Sequence, residues 1–144
     1  MKVGNILDHK GSKVVTMPPE AHVSIAAQRL RLEQIGAILI LAEAGRIAGI
    51  LSERDVVHGL AEHGPGVVDM PVSAIMTTNV RTCRTGDDVR DVMRLMTVHR
   101  IRHVPVVDDG QLRGLVSIGD VVKNRLDEME LEANVLRDYA VAHH

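Results

Sequence analysis

The chain has 144 residues, 45% of them hydrophobic, and a formal net charge of −2. That is the size of one ordinary domain, with enough apolar content for a sizeable core. With no Phe, no Trp and one Tyr, it offers no aromatic ladder for stacking bases, and its charge gives no basic surface for duplex nucleic acid.

In chain order, the N-terminus M-K-V-G-N-I-L-D-H-K lacks the apolar run of a signal peptide. No stretch approaches the length of a membrane span. The lone Cys83 has no partner for an internal disulfide, so a reducing cytoplasm is the expected compartment, without a membrane partner. Residues 3–7 form a short apolar lead-in, and residues 14–16 (V-V-T) a short strand ended by Met17-Pro18-Pro19. Val23, Ala26, Ala27 and Leu30 then fall at i, i+3, i+4 and i+7, which predicts a one-faced helix. An apolar run at 37–42 and a strand at 46–52 follow. A second helix is expected from Glu53 to the stop His63-Gly64-Pro65-Gly66.

The second half repeats this order. Residues 72–76 (V-S-A-I-M) match the lead-in, and 80–82 match the first strand. Val89, Val92, Met93 and Met96 match the first helix, with Asp88 as its N-terminal signal. Residues 103–107 and 111–117 match the two central strands, and a helix starts at Ile118. Its apolar face (Leu126, Met129, Ala133, Leu136, Ala140) continues to the end of the chain. That face either packs on its own domain or builds a homodimer. The clearest mark of duplication is G-I-L-S-E-R-D at 49–55 against G-L-V-S-I-G-D at 114–120. The expected fold is α+β: two β-α-β-β-α repeats, 1–66 and 67–144, packed sheet to sheet about a pseudo-twofold axis.

Ser52 and Ser117 fall at a strand-to-helix junction, and Asp55 and Asp120 in the first helical turn. One explanation is local: serine caps the helix and a carboxylate suits its positive end. The other is functional: a carboxylate beside a helix N-terminus can hold a ribose diol. Spacing alone leaves both open.

These stretches, together with Ile35-Gly36-Ala37 and Arg102-His103-Val104-Pro105-Val106, make the chain resemble a tandem pair of cystathionine-β-synthase (CBS) domains, a Bateman module. The resemblance covers nearly the whole chain. It is greatest to stand-alone bacterial pairs that end in a helix with a late Tyr, here Tyr139. It implies a regulatory, energy-sensing role. Clefts between the repeats would bind AMP, ADP, ATP, NAD(H) or S-adenosylmethionine, and an unknown effector protein would read the resulting shift in shape. Asp55 and Asp120 would hold ribose, with Ser52 and Ser117 beside them and Ile118-Gly119 at the second motif. Ala37-Ile38 and His103-Val104-Pro105 would border the adenine. Thr16-Met17 and Thr82-Cys83 would form the other wall.

Arg54 and Arg102 are candidates for a phosphate, or are solvated surface charges. Gly119 stands where the first motif has Arg54, so the two sites are expected to differ. His99 and His103 straddle a helix end and do not suggest a metal site, and Cys83 reads as an inert buried thiol. No triad, paired carboxylates or phosphate loop is visible, so no enzyme is expected. The competing reading is a dimerisation module with degenerate, empty clefts.

Overall fold

The computed structural model describes residues 1–143. The chain forms two compact units, and they do not follow a cut at 66/67. One is continuous, Lys13–Arg81. The other joins Met1–Ser12 to the residues from Thr82 onward. Each lead-in therefore packs in the unit that carries the other repeat's motif.

The continuous unit contains β1 (Thr16–Met17), α2 (Val23–Leu32), β2 (Ala37–Leu41), β3 (Ile47–Ser52) and α3 (Glu53–His63). Its sheet order is β1-β2-β3; β1 is parallel to β2, and β2 antiparallel to β3. The first strand is shorter and later than 14–16, although the Leu39 N–H still donates to the Val15 carbonyl at 3.0 Å. β2 is an unbroken run of aliphatic side chains, and Ile38, Leu39 and Ile40 are fully buried. Strands buried in this way need no alternation. On α2, Val23, Ala26 and Leu30 face the core, while Ala27, expected on the same face, is exposed. Gly64 ends α3 with φ 71°, a conformation that suits glycine. The lead-in 72–76 becomes a single 3-10 turn, Val72–Ala74, with Val72 buried.

The discontinuous unit contains α1 (Val3–Lys10), α4 (Val89–His99), β4 (His103–Asp108), β5 (Gln111–Ser117) and α5 (Ile118–Ala142). The short lead-in at 3–7 is in fact the helix α1. Its Val3, Ile6 and Leu7 join Val92, Met96, Val104, Val106, Val116 and Val121 in one core. Burying each such aliphatic side chain contributes about 1.5–3 kcal/mol. Asp88 caps α4 by accepting from the Arg90 N–H at 2.9 Å. Residues 80–82 form no strand. In their place Cys83 makes a single parallel bridge to Val106, donating to the Pro105 carbonyl (3.0 Å) and accepting from the Val107 N–H (2.8 Å). The second sheet therefore has two strands among the described residues.

Candidate functional site

Both S-x-x-D stretches form the same local device. Ser52 is the N-cap of α3: its Oγ accepts from the Asp55 N–H at 3.3 Å, and the Ser52 N–H donates to Asp55 Oδ2 at 2.8 Å. Ser117 does the same for α5, with distances of 3.1 and 2.8 Å to Asp120. These are reciprocal capping boxes with aspartate at the third helical position. The local explanation of the motif therefore holds in full. The box also fixes each carboxylate at the positive end of a helix.

What meets the carboxylate differs between the two copies. Thr77, just past the 3-10 lead-in, donates its hydroxyl to Asp55 Oδ1 at 3.0 Å. Lys10, the last residue of α1, donates to Asp120 Oδ2 at 2.7 Å and to the Leu115 carbonyl at 2.8 Å. Burial works against ionisation of Asp120. The Lys10 hydrogen bond, the Ser117 N–H and the charge of Lys10 outweigh it and hold the carboxyl below its ordinary range. Neither partner was visible in the sequence, where residues 3–7 read as a short lead-in and Lys10 carried no assignment.

The leading glycine of each motif makes the approach of the opposite lead-in possible. A Cβ on Gly49 would lie 2.7 Å from Met76 Sδ and 2.8 Å from the Thr77 carbonyl oxygen. On Gly114 it would lie 2.7 Å from Leu7 Cδ2. Glycine leaves room for the lead-in against the strand, most tightly at Gly49, where the neighbour is backbone. The sequence shows these glycines inside a strand, recurring in both copies, without a reason for them. The signal was their recurrence three residues before each capping serine.

Around Asp120 lies a cavity of about 360 Å³ lined by Ile6, His9, Lys10, Asp120, Lys123, Asn124 and Asp127. Its wall comes from both sequence repeats within a single compact unit. Thr82 and Cys83 line a different hollow of about 310 Å³ with Arg84, Asp87, Val107, Asp109 and Gly110. The Cys83 side chain is buried in the core. Desolvation, then the charges of Asp87 and Asp108, push its pKa up to about 12. The thiol is therefore protonated at neutral pH and a poor nucleophile.

His103 and Ser117 are directly opposite in the β4–β5 ladder, with Val104 and Pro105 buried beyond them. Ala37 and Ser52 are opposite in β2–β3, with Ile38 next. In each unit the central strand thus brings the expected adenine-bordering backbone beside the capping serine. Thr16 is exposed and Met17 buried on β1, which pairs with β2 at Leu39 and Ile40. Arg54, Arg102, Ile118 and Gly119 are exposed in the first helical turns or at the strand entry. Among the described residues no three His, Cys, Asp or Glu gather to hold a metal ion, and no helix is long and apolar enough to cross a membrane.

The CBS domain model matches residues 3–62 and 72–127. Among related sequences, the CBS domain-containing protein YhcV of Bacillus subtilis is 29% identical over 124 residues, covering 86% of this chain and 87% of its own. Among solved structures, the CBS-domain protein ATU1752 of Agrobacterium tumefaciens is 41% identical with a TM-score of 0.84, covering 86% of this chain and 92% of its own. The CBS domain pair of protein MJ0100, solved in complex with 5′-methylthioadenosine and S-adenosyl-L-methionine, is 27% identical with a TM-score of 0.79, covering 89% of this chain and 98% of its own. Two family matches in one chain, two copies of one capping box and two sheets of one plan agree: this chain belongs to the CBS domain family as a tandem pair.

Proposed function

We propose that the protein is a non-catalytic regulatory module that binds an adenosine-containing ligand at its motif aspartates and signals occupancy to a protein effector. The observation that carries this is Asp120. Its carboxylate is fixed by the capping box at a helix N-terminus and lines a cavity of about 360 Å³, within the size range of small-ligand sites. The MJ0100 pair, with its adenosine-type ligands, supports the same class of ligand here. AMP, ADP or ATP, and NAD(H) all suit a carboxylate that takes ribose hydroxyls beside cationic side chains. Ligand affinity that differs between two shapes of the module would shift their populations, and the effector would read that shift.

Ultraviolet spectroscopy of the purified protein, followed by mass spectrometry of acid-released small molecules, tests this directly. With one Tyr and no Trp, any bound adenine dominates the spectrum. Calorimetry with AMP, ATP and NAD(H) then compares the native chain with Asp120→Ala. Equal affinity in the two sinks the ribose assignment.

A second reading is a homodimer module, and one observation favours it. Val122, Leu126, Met129, Leu136 and Tyr139 of α5 are between 46% and 69% exposed. Such a row is commonly covered by a symmetric partner. Sedimentation at several concentrations, with and without nucleotide, separates dimerisation from ligand sensing.

A further inference from the structure

We infer that Lys10 makes the Asp120 corner selective for adenosine ligands that carry an anionic group. This rests on the reading that Asp120 takes ribose hydroxyls. The Lys10 ammonium sits 2.7 Å from Asp120 Oδ2, and the Ser117 N–H donates to the same oxygen at 2.8 Å. A vicinal diol grips a carboxylate best with one hydroxyl on each oxygen. Oδ2 is already crowded by two donors, so the ligand's ribose displaces the ammonium, which is the more mobile of them.

The displaced ammonium then needs a new counter-charge. Its stem is anchored at the end of α1, and the Leu115 carbonyl keeps it close to the cavity. The other charged or titratable groups on the cavity wall are His9, Lys123 and Asp127. With Asp120 committed to ribose, the cavity wall carries two ammonium groups, Lys10 and Lys123, against one remaining carboxylate, Asp127. A phosphate or carboxylate on the ligand fills that deficit through charge-assisted hydrogen bonds. A neutral nucleoside loses the Lys10–Asp120 pair and returns nothing for it. A ligand with a cationic sulfonium and no anion is disfavoured further.

The test uses AMP and adenosine as probes, by calorimetry, on the full chain carrying Asp55→Ala so that only the Asp120 corner is read. In that background Lys10→Met should tighten adenosine binding about 2- to 5-fold, because no exposed ion pair has to be broken. It should weaken AMP about 10-fold through loss of a charge-assisted hydrogen bond. Lys10→Arg should keep the preference for AMP. An unchanged ratio of AMP to adenosine affinity in Lys10→Met, with binding still weakened by Asp120→Ala, overturns the role of Lys10 and leaves the ribose reading standing. If Asp120→Ala alters neither ligand, or the background protein binds neither, the ribose reading falls and takes the selectivity with it. Melting curves of each variant confirm that the comparison is made on folded protein.

Discussion

The two motif corners are built from one plan and held by different chemistry. Both have a serine cap, a reciprocal aspartate and a glycine that admits the opposite lead-in. At Asp55 the lead-in contributes a threonine hydroxyl, and at Asp120 an ammonium. The capping box is dictated by helix termini in general, so duplication copies it unchanged. The group that latches it comes from the opposite lead-in, outside the capping motif, and there the copies have diverged.

The largest expected effect that tests this comparison is on ligand binding. Asp55→Ala and Asp120→Ala should each weaken nucleotide binding about 10- to 100-fold at their own corner, the scale of a hydrogen bond to a charged group. Each should also lose about 0.3–1 kcal/mol of stability with the carboxylate's half of its capping box. Calorimetric stoichiometry across the two variants shows whether both corners fill.

Next come the glycines. Gly49→Ala meets a backbone carbonyl at 2.8 Å, whereas Gly114→Ala meets only the tip of the Leu7 side chain. Overpacking costs about 1–3 kcal/mol. Gly49→Ala should lie near the top of that range and Gly114→Ala near the bottom, because a leucine can rotate away and a carbonyl cannot. Denaturant melts of both variants read the difference, and equal losses would mean that the two lead-ins are equally rigid.

The latches differ by less. The Lys10–Asp120 pair is partly exposed, with side chains 35% and 23% accessible, so Lys10→Met should cost about 0.2–1 kcal/mol. That cost should shrink as salt is added, whereas the cost of Thr77→Val should be insensitive to salt. Parallel melts at low and high ionic strength would show whether the first latch is electrostatic and the second is not.

The smallest effect is in acid. The folded state holds the Asp120 carboxyl below its ordinary value of 3.8. Its contribution is therefore complete above that value and is lost as pH falls through the lowered one. Asp120→Asn should flatten that part of the acid limb of stability. An unaltered limb would remove Asp120 from the acid transition.

Much of the fold was readable because its signals are local. The helix starts at Glu53 and Ile118, the Asp88 cap and the stop at Gly64 each depend on residues within a few positions. What failed was long-range or marginal. Residues 80–82 have strand-like composition, yet only Cys83 bridges the sheet, since a strand exists by virtue of its neighbour. The Lys10–Asp120 contact joins positions 110 apart, and the Thr77–Asp55 contact positions 22 apart. No periodicity reports a partner at that distance. The site's serines and aspartates were visible as types, but their latches were not.

The exchange of lead-ins also sets an order of events on the ribosome. The continuous unit is complete once Arg81 has emerged. The helix α1 is made well before its sheet: Lys10 waits for Leu115, a separation of 105 positions. At usual synthesis rates that wait is about 5–20 s. During it Val3, Ile6 and Leu7 have no core to enter. The helix α1 thus finds its place only after the later half is made, and a nascent chain paused between the two halves should expose it to proteases and chaperones.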